Sequence, residues 1–168
     1  RDRTVHLIPI AQVSKAQIRT VGADVDLTTW KPANEIIRKF QLQGGTDTVF
    51  TPDATRLYVA SSNNVSVIDL TAIRQIDADP STASIDSIAI PGNPFVHQIT
   101  MDPLGHFVFA AGPDAIVYVI DARPTSDKFN QLLRTIVLPR ERIPTSGIAV
   151  TADGRHLLVG TGNDKKAN

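Results

Sequence analysis

Histidine side chains are the first candidates for metal binding or proton transfer, and the chain has four of them. His97 lies just before the apolar run ITM (99–101), where it could contact a ligand or a metal ion. His6, His106 and His156 are scattered, and their spacing is not that of a His or His/carboxylate metal site. A single His without partners favours a simpler interpretation, a residue with one backbone hydrogen bond, so the sequence predicts no metal site.

Carboxylates recur at one position of the chain's repeating pattern. Asp69 ends the run VSVID (65–69), Asp121 ends the run IVYVID (116–121), and Asp26 is a looser match. Paired carboxylates can perform acid–base chemistry or bind calcium. A residue placed identically in every unit more often accepts hydrogen bonds from the backbone amides of a turn. We therefore interpret these aspartates as structural.

Other catalytic patterns are missing from the sequence. The segment GGTD (44–47) has the glycines of a phosphate loop, but no helical pattern follows it and no lysine is placed for a phosphate. We interpret it as a loop that leads into a strand. The sequence contains no Gly-x-Ser-x-Gly, His-Glu-x-x-His or Gly-x-Gly-x-x-Gly motif. We predict no catalytic residue and no cofactor, and a non-enzyme is favoured although an enzyme stays open.

Composition excludes several function classes. Lys+Arg and Asp+Glu number 17 each, so the formal net charge of zero argues against a nucleic-acid groove or a polybasic membrane surface. The chain has no cysteine, which excludes disulfides, Cys-based metal sites and a Cys nucleophile. No apolar run approaches the roughly 20 residues of a membrane-spanning helix. Because the chain starts with Arg1 and shows no signal segment, we expect a processed product or a part of something longer.

A repeat organises the chain. Its clearest copies are IIRKFQL (36–42), SIDSIAI (84–90) and LLRTIVL (132–138), with successive copies 48 residues apart. Each unit holds four short runs rich in Val, Ile, Tyr and Phe, as strands prefer, and a four-stranded unit of about 50 residues is typical of a β-propeller blade. We predict an all-β fold, a β-propeller of four-stranded antiparallel blades, seen as a partial set of about three to four blades. The predicted units are an incomplete blade at 1–42, blades at 43–90 and 91–138, and an incomplete blade at 139–168.

The predicted strands are 5–10, 20–27 and 36–42 in the first unit, 48–50, 56–61, 65–69 and 86–90 in the second, 99–101, 107–111, 116–121 and 132–138 in the third, and 148–150 and 156–160 in the fourth. Trp30, in a loop between strands, is interpreted as a cover over the sheet edge.

Tight turns repeat independently of the strands. TPDA (51–54), DPLG (102–105) and TADG (151–154) each separate two apolar runs. Pro early in a turn and Gly late in it supply the fixed and the positive φ of a tight reversal. Ala54 breaks the Gly rule, so its turn is expected to be slightly different or strained. Tyr58 and Phe109 should lie in equivalent second strands and pack between adjacent blades.

These residues also carry a resemblance. The stretch FTPDATRLYVASSNNVSVIDL (50–70) resembles the surface-layer type of β-propeller often called the YVTN repeat, in which a Ser-Pro-Asp-Gly-like turn leads into a Leu-Tyr-Val strand and then a Val-Ser-Val-Ile-Asp strand. Residues 99–121 match with DPLG as the turn, a form also common in the related lactonase-like propellers. Residues 148–160 match the opening of a further blade.

The resemblance implies an assembly and a location. Such propellers usually have seven blades, so the expected partner is the remainder of this chain's own propeller or another chain that completes the ring. A protein partner is expected as well, with no nucleic acid and no membrane span. The family is rich in surface proteins, which implies an extracellular, cell-surface or periplasmic location.

In a propeller, the loops that enter the inner strands surround one end of the central channel. Here those loops are 44–47, 93–98 and 142–147. The loop side chains differ between units, so we predict a modest polar contact surface there. The candidate binding residues are Asp47, Asn93, His97, Arg142 and Ser146.

Three functions stay open from the sequence. We favour a non-catalytic β-propeller scaffold or protein-binding module of a larger exported or cell-surface protein. The alternative is a lactonase-like propeller hydrolase that acts on a sugar lactone, supported by the DPLG turn (102–105) and by His97 with Arg142 near the channel. In the third, the propeller stands beside a redox or transport domain that carries the active groups.

Overall fold

The fold consists of β-strands among the residues that the computed structural model describes. These residues are 3–7, 38–42, 45–71, 85–92, 95–113, 115–138 and 145–161. In chain order the strands are β1 Arg3–Leu7, β2 Arg38–Leu42, β3 Asp47–Phe50, β4 Arg56–Ser61, β5 Asn64–Asp69, β6 Ile85–Ala89, β7 Gln98–Met101, β8 Phe107–Ala111, β9 Ile116–Asp121, β10 Leu132–Val137, β11 Thr145–Val150 and β12 Leu157–Thr161.

Two four-stranded antiparallel sheets form the centre of the described chain. Strands β3 to β6 make the first sheet, which we call blade A, and strands β7 to β10 make the second, blade B. In both blades each strand pairs with the next one along the chain. Two further sheets have two antiparallel strands each, β1 with β2 and β11 with β12. The described residues thus form the four-stranded units that the repeat predicts.

Burial follows the position of each strand in its blade. The middle strands are covered on both faces, so four consecutive residues of β5, from Val65 to Ile68, are buried. Three of them, Val65, Val67 and Ile68, have apolar, β-branched side chains, which suit a sheet packed on two sides. The outermost strand β10 is largely exposed. The first strands β3, β7 and β11 lie side by side, with β7 in the middle, as inner strands around a channel would.

The main core lies between blades A and B. Side chains alternate between the two faces of each strand. One face of blade A packs against one face of blade B, and the core consists of the side chains on these two faces. Blade A contributes Tyr58, Ala60, Val65, Val67, Ile88 and Ile90 to this core, and blade B with its adjoining loops contributes Val96, Ile99, Met101, Val108, Ala110, Tyr118, Ile120 and Ala122.

Tyr58 and Phe109 occupy matching places in their second strands but are covered differently. Each is the third residue of its strand. Each also pairs with the equivalent residue of the first strand, Tyr58 with Val49 and Phe109 with Thr100. Tyr58 is fully buried because its face meets blade B. Phe109 is only half-buried. It lies on the other face of blade B, where β8 contacts β11, and only two strands of that next sheet lie among the described residues.

The repeated turns share one backbone conformation. Ala54, Gly105 and Gly154 have positive φ angles of 54°, 72° and 68°. The expected strain at Ala54 is confirmed, because a residue with a Cβ is disfavoured in this left-handed region. Gly105 is needed for a second reason. A Cβ added there would lie 2.6 Å from Cδ of Pro52 in the turn of blade A.

Strand positions agree closely with the sequence. Strands β4, β8 and β9 have the predicted bounds, and most others differ by one or two residues. Strand β11 begins three residues before the predicted run 148–150. The predicted strand 20–27 and Trp30 lie outside the described residues, as do residues 8–10 of the predicted strand 5–10.

Candidate functional site

The loops before the inner strands meet at one end of the blades, which we call the mouth. They are brought together because β3, β7 and β11 are neighbours, although about 50 residues separate each loop from the next. Asn93 and Arg142, two of the predicted binding residues, lie outside the described residues. The described residues of the mouth surface are Thr46, Asp47, His97, Thr145 and Ser146.

Asp47 connects blade A to blade B. Its Oδ1 accepts a hydrogen bond from the backbone N–H of Thr48 at 2.9 Å, and its Oδ2 accepts one from the backbone N–H of Ile99 at 3.0 Å. The neighbouring Thr46 hydroxyl donates to the carbonyl oxygens of Ala60 at 3.2 Å and Val96 at 3.4 Å. The bond from Ile99 satisfies a backbone N–H on the free edge of β7. Both oxygens of Asp47 therefore have structural partners.

His97 makes the matching connection from blade B to β11. Its Nε2 lies 3.0 Å from the carbonyl oxygen of Thr145, so this nitrogen carries the proton and donates it. Its Nδ1 lies 3.5 Å from the carbonyl oxygen of Phe95, and the two rings are stacked with centroids 6.0 Å apart. The buried Thr145 hydroxyl donates to the carbonyl oxygen of Gly112 at 2.7 Å. The histidine is thus held in place as an inter-blade contact.

The loop before β7 also crosses to blade A. Val96 is fully buried and its backbone N–H donates to the carbonyl oxygen of Ser62 at 2.5 Å. Gly112 gives this loop room, because a Cβ at that position would lie 2.7 Å from the carbonyl oxygen of Phe95.

Ser146 differs from its neighbours, since it is exposed at the mouth.

Gln98 occupies in blade B the place that Asp47 occupies in blade A. Each is the first residue of its inner strand, and each pairs with the last or penultimate residue of the second strand. The side-chain Oε1 of Gln98 is buried and accepts no hydrogen bond from the described residues. Buried oxygens of this kind are rare in folded proteins. Among the described residues, the mouth therefore holds a buried acceptor to which no group donates.

A cleft of about 310 Å³ lies at the opposite end, between the first turns of blades A and B. We call it the turn-end cleft. Leu104 on its rim is 73% exposed, which places an apolar side chain beside charged ones. The cleft is lined by Thr51, Pro52, Asp53, Arg56, Leu104, Gly105, His106, Ala122, Arg123, Pro124 and Thr125.

A loop of blade B reaches over blade A beside this cleft. The guanidinium of Arg56 lies 5.0 Å from the ring centroid of Phe129, a cation–π contact between the blades. The Tyr58 hydroxyl donates to Oδ1 of Asn130 at 2.8 Å. Burial raises the pKa of Tyr58 to about 12, so the hydroxyl stays a donor. The loop 122–131 therefore ties the two blades together.

Asp121 anchors that loop from below. It is fully buried and receives two bonds from the Arg123 guanidinium, at 3.0 Å and 2.6 Å, and one from the Ser126 hydroxyl at 2.7 Å. The Arg123 backbone N–H donates to the same carboxylate at 2.9 Å. The Arg123 side chain holds the pKa of Asp121 well below its usual range. Arg123 also lies 5.3 Å from the ring centroid of Phe107.

Other carboxylates with shifted pKa values are also held by turns. The Thr51 hydroxyl, followed by the backbone and hydroxyl of Thr55, lowers the pKa of Asp53 to about 2. The Thr71 hydroxyl and backbone lower the pKa of Asp69. A general acid or base works best with a pKa near the working pH. These aspartates are ionised hydrogen-bond acceptors, in keeping with the structural interpretation of Asp69.

Metal-ligand clusters and membrane-spanning helices are both absent from the described residues. No three His, Cys, Asp or Glu side chains among them are grouped in a way that could hold a metal ion. No helix in the described part of the chain has the length and apolarity to cross a bilayer.

The turn-end cleft was not predicted from the sequence. Arg56 and Phe129 are 73 residues apart and show no repeat, so nothing in the linear pattern pairs them. The available signal was the segment 122–131, whose Ser, Lys, Phe and Asn residues depart from the strand pattern after Asp121. The unused oxygen of Gln98 carries no sequence signal either.

Comparison with known proteins identifies the fold. No protein-family profile matches the chain, and no curated protein matches it. A proposed 6-phosphogluconolactonase from Bacteroides uniformis ATCC 8492 is similar in structure, with a TM-score of 0.59 and 17% identity over 76% of this chain. Hydrazine synthase from Kuenenia stuttgartiensis is similar with a TM-score of 0.52 and 18% identity over 82% of this chain.

These likenesses concern the fold alone, because the identities are low. The chain spans 40% of the length of the first structure and 32% of the second. Together with the strand order of blades A and B, they confirm the predicted fold class: the chain is an all-β propeller of four-stranded antiparallel blades, present as a partial set.

Proposed function

We propose that the chain is a non-catalytic scaffold or protein-binding module of a larger exported or cell-surface protein. The observation that carries this proposal is the use of the mouth's polar groups. Asp47 bonds to Ile99 of the next blade, and His97 bonds to Thr145 of the next sheet. In a catalytic propeller the equivalent groups would have to point at a substrate instead of at neighbouring backbone.

The resemblance to YVTN-type surface propellers supports the exported location. The residues that carry it are the turn and strands of 50–69, which lie in blade A.

Two surfaces have the chemistry of a protein contact. At the turn-end cleft, Arg56 and Arg123 flank the exposed Leu104, and Arg with apolar anchors is enriched in protein interfaces. At the mouth, a donor from a partner would satisfy the buried Oε1 of Gln98 beside the exposed Ser146. Both surfaces are small, so such a contact would be one part of a larger interface.

Lactone hydrolysis is the second candidate, favoured by the likeness to the proposed 6-phosphogluconolactonase. His97 and Arg142, from the loops of the mouth, would then serve the reaction, whereas the DPLG turn (102–105) supports this candidate only as a feature shared with lactonase-like propellers. This function needs His97 to leave its bond with Thr145 in order to act on a substrate.

The test is hydrolysis of 6-phosphogluconolactone and unphosphorylated gluconolactone by the unaltered chain and by a His97→Ala, Arg142→Ala variant. We expect no hydrolysis above the spontaneous rate from either protein. The variant should lose about 0.5–1.5 kcal/mol of unfolding free energy through the His97 bond. His156→Ala, at the exposed far end, is the matched control and should leave stability unchanged. If the unaltered chain hydrolyses either lactone and the double variant, still folded, does not, the lactonase function takes the place of the scaffold proposal.

A further inference from the structure

The three inner strands share one register, so their residues can be compared position by position. Each strand ends beside its tight turn at a pair of residues that match between the sheets: Phe50 with Leu57, Met101 with Val108 and Val150 with Leu157. Counted back from these pairs, the first position at the mouth is held by Thr46, His97 and Ser146, and the next by Asp47, Gln98 and Gly147. In stacked repeats, matching positions face matching parts of the next unit.

Blades A and B are joined at these positions by two hydrogen bonds, which we call the clasp. The Thr46 hydroxyl donates to the carbonyl oxygen of Val96, two residues before Gln98, at 3.4 Å. Oδ2 of Asp47 accepts from the backbone N–H of Ile99, the residue after Gln98, at 3.0 Å. A donor and an acceptor on consecutive residues of blade A thus hold the start of β7.

Blade B makes the first of these bonds to the sheet β11–β12. His97 holds the position of Thr46, and Thr145 holds that of Val96, because it lies two residues before Gly147. The Nε2–H of His97 donates to the carbonyl oxygen of Thr145 at 3.0 Å. The donor side of the clasp is therefore repeated, with an imidazole in place of a hydroxyl.

The acceptor side of the clasp is not formed among the described residues. Gln98 holds the position of Asp47, and Ile148 holds that of Ile99. The Oε1 of Gln98 is buried, yet none of the described residues donates to it, so the Ile148 N–H does not. Glutamine is one methylene longer than aspartate, so its oxygen does not take the same place while the strands keep the same spacing.

The Ile148 N–H points in the direction that such a bond requires. The Thr151 N–H donates to the carbonyl oxygen of His156 at 2.9 Å, so these two residues form a hydrogen-bonded pair. Pair types alternate along antiparallel strands, and Ile148 with Val159 lies three steps away, so it is a pair without mutual hydrogen bonds. Its N–H therefore points away from β12, as the matching N–H of Ile99 points away from β8.

We infer that the contact between blade B and the sheet β11–β12 is a hinge with an open and a closed arrangement. In the closed arrangement, a small shift of β11 against β7 lets the Ile148 N–H donate to Oε1 of Gln98, and the clasp is complete. The open arrangement, which the structure shows, leaves a buried acceptor without a donor and is disfavoured to that extent. The contact between blades A and B has both bonds and stays fixed.

The hinge lies at the mouth, and the bond from His97 to Thr145 remains in both arrangements. The inference stands without the proposed function. A partner's donor at Gln98 would compete with the Ile148 N–H for one oxygen, so binding there would favour the open arrangement.

Relaxation dispersion of the backbone amides by NMR tests the hinge, because it detects motions on the microsecond-to-millisecond timescale of hinges. We expect exchange at Ile148 in the unaltered protein and none at Ile99, whose N–H is held by Asp47. Gln98→Leu removes the acceptor and should abolish the exchange at Ile148. Hydrogen exchange of the same amide should become roughly 2- to 10-fold faster in that variant, the factor for one hydrogen bond.

Gln98→Glu is the matched control. It keeps the length and the oxygen acceptors of the side chain, so hydrogen exchange at Ile148 should be no faster than in the unaltered protein. Three outcomes would overturn the inference. They are flat dispersion at Ile148 in the unaltered protein, exchange there that persists in Gln98→Leu, and equal hydrogen exchange in all three proteins. The first measurement needs no variant, so it decides the matter even where a variant does not fold.

Discussion

Asp69 ends the third strand of blade A, and Asp121 ends the third strand of blade B. Asp69 accepts two hydrogen bonds from Thr71, at 2.8 Å from its backbone and 2.6 Å from its hydroxyl, and stays partly exposed. Asp121 is fully buried and holds Arg123 and Ser126 as well as a backbone amide. The backbone position is the same, and among the described residues the segment 122–131 folds back over the carboxylate of Asp121.

Tyr58 and Phe109 show the same contrast in the core. Their strands have one register, yet Tyr58 is enclosed by blade B and Phe109 is half-buried. The repeat determines where a side chain points, whereas the neighbouring blade and the connecting loop determine how much of it is covered. A repeat protein's stability is accordingly a sum of units and of the interfaces between them.

The largest test of this contrast is truncation of the two aromatic residues. Tyr58→Ala should lower the free energy of unfolding by about 3–5 kcal/mol, the range for a buried aromatic side chain. Phe109→Ala should cost about 1–2 kcal/mol, because its side chain is only half-buried and loses less apolar contact than that of Tyr58. Urea denaturation followed by circular dichroism measures both values.

Tyr58→Phe is the control for the hydroxyl. It keeps the ring and removes only the bond to Asn130, so a loss of about 0.5–1.5 kcal/mol is expected. Equal costs for Tyr58→Ala and Phe109→Ala would mean that Phe109 is as well covered in solution as Tyr58.

The second test compares the two carboxylates. Asp121→Ala should cost about 1–3 kcal/mol, because the buried amide of the loop and the Ser126 hydroxyl lose their acceptor. Asp69→Ala should cost about 0.5–1 kcal/mol, since water replaces the lost bonds. Similar losses for both variants would show that the loop after Asp121 adds no stability.

The pH dependence of stability sharpens the same comparison. The pKa values of Asp121 and Asp69 are lowered in the folded protein, so folding favours their ionised forms. This stabilisation is complete above the unfolded pKa of about 3.9 and is lost as pH falls through the folded values. The unaltered protein should therefore lose stability below about pH 4. The loss should be smaller in Asp121→Ala, and a parallel pH profile for the two proteins would contradict the assignment.

The sequence was sufficient for features that depend on local pattern. The strand positions of β4, β8 and β9, the repeated turns and the strain at Ala54 follow from apolar runs and from turn chemistry. The convergence of the mouth loops follows from the repeat itself, since equivalent loops of stacked units lie together.

The sequence was not sufficient for contacts that join different units. The bonds from Asp47 to Ile99 and from His97 to Thr145 depend on how far one blade is rotated against the next, which the strand pattern does not encode. The contact of Arg56 with Phe129 depends on the path of one loop that has no repeated counterpart among the described residues. For the same reason, the equivalent positions of Tyr58 and Phe109 in the repeat predicted where their side chains point but not how far each side chain is buried.

The test with the smallest expected effect on stability exchanges Ala and Gly between the turns of blades A and B. Ala54→Gly should stabilise the chain by about 0.5–1 kcal/mol, because relief of the left-handed strain outweighs the added flexibility of glycine.

Gly105→Ala should cost about 1–2 kcal/mol from backbone strain, and more if Pro52 has to move away from the new Cβ. Gly154→Ala separates these two causes. It meets the same backbone strain at a φ of 68°, but its Cβ would lie 3.5 Å from Cδ of Pro103, an ordinary contact. Thermal unfolding of the three single variants measures the differences. If Gly105→Ala lowers stability no more than Gly154→Ala does, the turn of blade A can move away from the new Cβ. The contact between the two turns would then not restrict the residue at position 105.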